Sequence, residues 1–449
     1  MSRLLSSEET YETVTQQVTD ITLHPPARRR WWMLMALSLL MLGIFFLSTG
    51  WLFIAGVGIW GLNVPVNWGL DIVNTVWWVG IGHAGTMISA LLLVMGQQWR
   101  NSLNRFAEAM TLFAAICAAL FPILHLGKPE LFYWMFPYPN TMDLWPQFRS
   151  PLVWDVFSFT AYITVSFLFW YVGMIPDLAT MRDKTTKPLA RAIYGRLALG
   201  WRGTAQHWER WRQAYVAIAL ITFHLVVTVH SGVAMLFAGG PVPGWHTTIF
   251  PPFFVQGAVF SGVAVVILLA VVLRHAFHLG NLLTLKHLDI LAKLLLATGL
   301  LTAYGYLADA FHAWYSGDIH EMQTLHDRLF GRYAWSAWGS LFLNIVLIQL
   351  LWFRRIRRSV PMLFVIALGA AVGMWLERYL LIVTGLYRDF LPSSWHGYET
   401  TIWEWGLFIG SIGLFAVLFL LFARFLPLVS MFELKEELAA ERRMKGDEE

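Results

Sequence analysis

Only one cysteine, Cys117, occurs among 449 residues. A single thiol cannot build a disulfide framework, a zinc site or an iron–sulfur cluster. Cys117 lies inside an apolar run, where a small buried hydrophobe is the simplest role. Charge is scarce as well. Asp, Glu, Lys and Arg make up 13% of the chain, about half the share of a soluble domain. That excludes an ordinary water-soluble globule. The formal net charge of +4 does not point to nucleic acid, because the basic residues sit beside apolar runs. If the chain handles electrons, its metal centres must sit in other subunits.

What is abundant is hydrophobic, 57% of all residues. These residues form continuous runs of about 20 or more, long enough to cross hydrocarbon as helices. A backbone in lipid must satisfy its own polar groups, which leaves helix or closed barrel. Runs without period-two alternation select helix. The reading is an all-α integral membrane protein with about ten spans. They run Trp31–Ile59, Leu70–Met95, Phe106–Leu126, Leu152–Met174 and Tyr215–Ala238, then Val255–Ala276, Leu288–Trp314, Ala334–Phe353, Met362–Val383 and Trp403–Phe422. Residues 1–30 are polar, and the run from Trp31 is too long for a signal-peptide core, so no removable signal is expected.

Basic residues set the expected orientation. With the N-terminus in the cytoplasm, the inner segments collect Arg28–Arg30, Arg100 and Arg105, and then the loop from Arg182 to Arg212. Arg274, Lys286, the cluster Arg354, Arg355, Arg357 and Arg358, and the C-terminal tail complete that set. The outer loops keep only Lys128, Arg149, Arg328, Arg332 and Arg388. Both termini are therefore expected in the cytoplasm. The outer loops 131–145, 241–254 and 391–405 are rich in Trp, Pro, Phe and Tyr. Interfacial aromatic belts and a docking surface for an extracytoplasmic partner explain this about equally well. Arg105-x-x-Glu108 opens span three and Lys286-x-x-Asp289 opens span seven, with His125 and His312 near their far ends. This is a faint echo of two repeats in the same orientation.

Ionisable groups at membrane depth cost roughly 2.5–3.5 kcal/mol each on insertion scales and usually face a bundle interior or a wet cavity. His125 ends span three, and Asp155 lies just inside span four, across a short outer loop. A histidine and a carboxylate at one level can accept the protons that must leave a quinol before its electrons do. Phe132, Tyr133, Trp134 and Trp154 are candidates for a flat apolar slot. The plainer alternative is that Asp155 caps its helix or pairs with Arg149. At mid-depth, His83, His224 and His230 suit a proton relay or local packing better than haem ligation. Gly82-His83-Ala84-Gly85 permits close approach of another helix or a ligand. In the second half Asp289, Lys293, Asp309, His312, Glu377, Arg378 and Glu404 form either structural pairs or a polar file for protons. Asp289 and Lys293 are spaced to pair on one helix face.

Six stretches carry a resemblance. They are Gly80-Ile-Gly-His-Ala-Gly85, His125-Leu-Gly-Lys-Pro129, and Trp145-Pro-Gln-Phe-Arg-Ser-Pro-Leu-Val-Trp-Asp155. The others are Val242-Pro-Gly-Trp-His246 running into Ile249-Phe-Pro-Pro252, Ala313-Trp-Tyr-Ser-Gly317, and Arg388-Asp-Phe-Leu-Pro-Ser-Ser-Trp395. In order along the chain, they resemble the NrfD/PsrC-like membrane subunits, and most closely the ActC subunits of alternative complex III. The resemblance implies a first flanking helix at 31–60, a four-helix bundle at 70–239 holding a quinol site, and a second at 255–385 in parallel repeat. A last flanking helix at 402–427 and a charged cytoplasmic tail at 428–449 follow. It implies that His125 and Asp155 line a pocket for menaquinol or ubiquinol near the outer face, with Arg388 and His83 as further contacts and no metal or haem in this chain. It also implies an iron–sulfur subunit docked outside, haem c subunits and a second NrfD-like subunit in the complex, and a bacterial inner membrane. One departure stands out: Leu236 occupies a position where ActC-like chains often carry aspartate.

Three readings compete. The first is a quinol-oxidising subunit of a respiratory complex. The second is a quinone-reducing anchor of a polysulfide-, sulfite- or tetrathionate-type molybdoenzyme. The third is a secondary transporter, whose expected pair of interrupted spans is not evident. A haem b cytochrome is a weaker fourth.

Overall fold

In the computed structural model, residues 4–6, 9–24, 28–136, 151–388 and 391–446 are described. Among them every regular element is helical. The helices are α1 (Tyr11–Leu23), α2 (Arg28–Ala55), α3 (Leu70–Val94), α4 (Asn104–His125), α5 (Pro151–Lys184), α6 (Pro188–Leu197), α7 (Ala205–Ala238) and α8 (Phe250–Ala276). There follow α9 (Leu285–Ser316), α10 (Ile319–Phe330), α11 (Ala334–Leu341), the single turn α12 (Arg354–Arg357), α13 (Val360–Leu386), α14 (Ile402–Phe425) and α15 (Met431–Gly446). Helix α11 runs on through a π-turn at Phe342–Val346 and a 3-10 stretch to Trp352. Ten of these segments are long and apolar enough to cross a membrane. They coincide with the ten runs read from the sequence.

Helices α3, α4, α5 and α7 pack in a ring, and α8, α9, the α11 segment and α13 form a second. Contacts of α3 and α7 with α8, and of α13 with α3, join the rings. Helices α2 and α14 pack on each other along the flank. The α4 and α9 histidine-bearing helices occupy equivalent second places in the two rings, as the sequence echo suggests. We refer to the end where α2 finishes and α3 begins as upper, and to the end carrying α1 and α15 as lower.

Small residues set the closest approaches. A Cβ on Gly85 would run into the Ala107 carbonyl of α4, and one on Gly262 of α8 would run into Ala84. The Gly82–Gly85 run is therefore where α3 meets both α4 and α8. Gly406, Gly410 and Gly413 on α14 lie against Ser48, Phe45 and Met41 of α2 in the same way, a close-packed seam of the kind that holds membrane helices together. The outward surface of α2 is apolar and exposed, with Leu40, Phe46, Leu47 and Ile54 all more than 60% accessible. Hydrocarbon is the medium that tolerates it.

Several helices outrun their apolar segments. Helix α7 begins ten residues before Tyr215 because Thr204 caps it by accepting from the His207 N–H at 3.3 Å. Hydropathy reports only the lipid-embedded part, so it misses such polar extensions. Helix α2 instead stops early, at Ala55, where Gly56 takes φ +74°.

The lower end of the first ring is tied by buried charge. Arg105 reaches Glu108 and Asp177, each at 3.3 Å, and the Gly173 carbonyl at 2.8 Å. Asp177 also accepts from the Met431 and Phe432 N–H groups at 3.2 and 3.3 Å, so an acid of α5 caps the start of α15. Glu433, on α15, then receives hydrogen bonds from Arg100 and Asn104. Arg100 and Glu433 are both at most 5% exposed. Burial works against the Arg100 charge, but Glu433, Tyr215 and Glu108 together outweigh it and push the guanidinium pKa up.

Candidate functional site

The chamber beneath the upper end of the first ring

His125 is the last residue of α4. Helix α4 stops there because Gly127 takes φ +73° and Pro129 opens a 3-10 turn over Pro129–Met135. That stop fixes the imidazole at the rim of the ring of helices. Its Nδ1 lies 2.5 Å from Oδ2 of Asp71, in the first turn of α3. The opening turn of a helix favours an acid, and the Leu70 N–H beside it donates to the Tyr398 hydroxyl at 2.8 Å. Asp71 is 2% exposed, and its other oxygen has no hydrogen-bond partner among the described residues. Asp155, in the second turn of α5, interacts electrostatically with His125. Three titratable groups from three helices therefore meet at one level.

His125 and Asp155 border a cavity of about 260 Å³ inside the ring, with Asp71 behind the imidazole. His125, Asp155 and Thr75 are its polar lining. Ile72, Val76 and Val79 of α3, Pro122 of α4, Phe159 of α5, and Val233, Leu236 and Phe237 of α7 supply the apolar walls, with Trp68 at the top. Trp68 is held in place by stacking on Trp245 at 5.7 Å and by an edge contact with Phe237 at 5.3 Å. A mostly apolar slot with a few convergent polar groups is the usual form of a small-molecule site. The slot presents an imidazole whose far side is fixed by a carboxylate. Such a pairing sets the histidine's tautomer and makes the exposed nitrogen a proton acceptor. Leu236 keeps the α7 wall apolar, so the acidic groups stand on the opposite side only.

A profile of the family described as "Polysulphide reductase, NrfD" matches residues 58–388. The chain belongs to the NrfD family. The matched segment takes in both helical rings and omits the flanking α2 and α14. Two similar proteins are a selenate reductase subunit of Mesobacillus selenatarsenatis and a putative dimethyl sulfoxide reductase membrane subunit of Halobacterium salinarum. The first is 23% identical over 83% of this chain and 88% of its own length. The second is 23% identical over 85% and 92%.

Other residues singled out in this NrfD chain fall elsewhere. Tyr133 and Trp154 are exposed and do not line the chamber. Phe132 faces a separate groove, described below. The Trp134 side chain, Arg149, and residues 145–150 of the tryptophan–proline motif lie outside the described residues. Arg388 pairs with Asp327 at 2.8 and 2.9 Å and lies 5.4 Å from the Tyr387 and Trp395 ring centres, away from the chamber lining. His83 is buried one turn below Val79, to whose carbonyl its Nδ1–H donates at 2.6 Å. It stacks on Tyr162 and meets His230 edge-on at 4.2 Å between ring centres.

The NrfD chain's second ring holds its charges in pairs. Asp289 pairs with Lys293 at 2.8 Å and with Arg357 at 2.9 Å, near the lower end. Asp309 pairs with Arg328 at 3.0 Å near the upper end. Glu377 and Arg378 pair at 3.0 Å and are almost fully buried. His312 is exposed, and His224 looks outward from α7 with Nδ1 on the Leu220 carbonyl at 2.8 Å. Glu404 caps α14 and binds the Gly61 N–H and the Tyr398 hydroxyl. The halves are nevertheless joined. The Phe254 carbonyl accepts from His230 Nε2 at 3.0 Å and from Arg378 Nη2 at 3.3 Å. Among the described residues no group of three or more His, Cys, Asp or Glu is placed to hold a metal ion.

Sequence reasoning passed over Asp71, Trp68, Phe159 and Asp177. Asp71 carried a signal: it is an acid in the opening turn of span two, at the same end as the His125 terminus of span three. Trp68 and Phe159 gave none, because nothing in the pattern tells a ring facing the bundle interior from one facing lipid.

Proposed function

We propose that this chain is the quinol-binding membrane subunit of a respiratory reductase complex. Quinol is oxidised in the upper chamber, and its two electrons pass to an iron–sulfur subunit docked on that face. The observation that carries the reading is the Asp71–His125 contact beside Asp155, set into an apolar chamber at the rim of a membrane bundle. A quinol supplies two electrons and two protons when both hydroxyl groups are deprotonated. The exposed nitrogen of His125 takes one proton, and Asp155 is placed to take the other. Asp71 holds the imidazole in orientation and stabilises the charge it gains. Trp68, Phe237 and Phe159 keep water from the ring.

The excess of basic residues at the lower end supports an orientation with both termini in the cytoplasm and the chamber near the extracytoplasmic surface of a bacterial inner membrane. The relatives' names support the direction of flow. Selenate and dimethyl sulfoxide reductases consume electrons, so a membrane subunit serving such an enzyme draws them from quinol. A quinone-reducing anchor would use the same chamber in reverse. A haem c subunit and a second membrane subunit are further partners this reading accommodates. The polar core of His83, His230, Arg378 and Glu377 lies directly beneath the chamber and is the proposed place where proton movement couples to the reaction.

The test uses the intact complex in membranes. His125→Ala and Asp155→Asn should abolish quinol-driven reduction of the terminal acceptor while the complex assembles with unchanged stoichiometry. Wild-type turnover in both variants sinks the proposal.

A further inference from the structure

A second cavity, of about 330 Å³, lies on the outer flank of the first ring, between α4 and α5. The 3-10 turn after α4 roofs it with Phe132, Met135 and Phe136. Ala119 and Ile123 of α4 and Ile163 of α5 form its sides. Thr160 and Thr164 on its lip are exposed, so the groove opens toward the bilayer. The bundle chamber and this groove share three lining residues: Pro122, Asp155 and Phe159. These residues are thus a partition between a bundle interior and a lipid-facing slot.

The partition is built to part. Proline at 122 interrupts the α4 ladder, because it has no N–H to donate and its ring crowds the preceding turn. Asp155 and Phe159 stand one turn apart on α5, on the face turned toward Pro122. A benzyl side chain can rotate out of a doorway without leaving a buried polar atom unpaired. The groove beyond it is mostly apolar, walled by Ala119, Ile123, Val156 and Ile163 and roofed by Phe132, Met135 and Phe136, which suits a branched hydrocarbon chain.

We propose that the α4–α5 groove holds the prenyl tail of the quinol whose ring occupies the bundle chamber, with Phe159 as the gate through which the ring passes from the membrane. This rests on the quinol reading above. It adds the route, the tail site and a residue that sets tail preference. Ring binding belongs to the chamber and tail binding to the groove, so the two respond to different substitutions.

The experiment compares two quinols with the same ring, one carrying a long prenyl tail and one carrying only a methyl group, in the whole complex reconstituted into lipid nanodiscs. Ala119→Phe and Ile123→Trp fill the groove and leave the chamber lining untouched. The expected result is a rise of about tenfold or more in KM for the prenylated quinol, from displaced apolar contact. The value of kcat, and both constants for the tail-less quinol, should stay within twofold of wild type. A quinone with a photoreactive diazirine on its tail should label peptides containing Phe132, Met135 or Ile163. Equal effects on both substrates, no effect on either, or labelling confined to α7 overturns the groove assignment. The second of these outcomes is what an acyl chain of a bilayer lipid in the groove would give. If the wild-type complex oxidises neither quinol, the quinol reading itself falls, and that failure is separate.

Discussion

Asp71 offers the sharpest test of the chamber, because it touches His125 and not the cavity. Asp71→Asn keeps the side-chain volume and removes the charge. A hydrogen bond to a charged group contributes about 1.5–3 kcal/mol, against about 0.5–1.5 for a neutral one. With the amide oxygen facing His125 Nδ1, the substitution therefore weakens the hold on a protonated imidazole by about 1–2 kcal/mol, a factor of roughly 5–30. With the amide nitrogen facing Nδ1, the imidazole is forced into the other tautomer. Its chamber-side nitrogen then carries a proton already, and the general-base contribution of about 10²–10⁴ is lost. Either rotamer lowers kcat by at least about fivefold. Binding should survive, since Asp71 is absent from the cavity wall. The assay is steady-state quinol oxidation in membranes beside titration of a quinol-site inhibitor. A fall in kcat with inhibitor affinity within twofold of wild type supports a positioning role. Wild-type kcat in Asp71→Asn, alongside an inactive His125→Ala, would refute the idea that His125 works through this carboxylate.

Other perturbations follow from the same geometry. Asp155→Asn should weaken binding of a quinol-site inhibitor as well as abolish turnover, because Asp155 lines the cavity; lost turnover with inhibitor affinity unchanged would remove it from ring contact. Arg388→Ala should leave quinol KM within twofold, since what it loses, a part-exposed pair with Asp327 worth about 1 kcal/mol or less and its contacts with the Tyr387 and Trp395 rings, lies away from the chamber lining. A large KM rise would mean that Arg388 reaches the substrate. Glu433→Ala leaves Arg100 buried without its partner, at a cost of about 3–5 kcal/mol. Limited proteolysis should then release α15 readily, and Arg100→Ala in the same chain should restore much of the resistance. Glu377→Gln should lower proton translocation per electron more than electron flux in proteoliposomes; equal losses would count against coupling through the second ring.

The membrane architecture was legible because apolar length alone decides it. The ten runs reappear as ten helices, and the errors are at ends, where polar turns such as Ala205–Ala214 extend a helix into water. His125 and Asp155 were readable as neighbours because one outer connection joins their helices at the same end, and both line one cavity. Asp71 was not, because its proximity to His125 depends on how α3 is rotated about its own axis. Aromatic identity misled for a related reason. Tyr133 and Trp154 are near the site in sequence, but the rings that wall the chamber come from Trp68, Phe159 and Phe237, on three different elements. Of the second-half charges read as a possible file, Asp289, Asp309 and Glu377 sit in local pairs with Lys293 and Arg357, Arg328 and Arg378, while Glu404 binds the Gly61 N–H and the Tyr398 hydroxyl.

The shared acceptor between His230 and Arg378 is a main-chain oxygen. No side-chain replacement at Phe254 deletes it, so a scan of that position would register only changes in ring packing and would pass over the joint between the two halves. The joint can be interrogated only from its donors, and the loss of one leaves the other still anchored. A single substitution at 230 should therefore look mild, whereas one at 378 also strands the buried Glu377 carboxylate, so a survey built from single variants would misjudge how tightly the two bundles are tied.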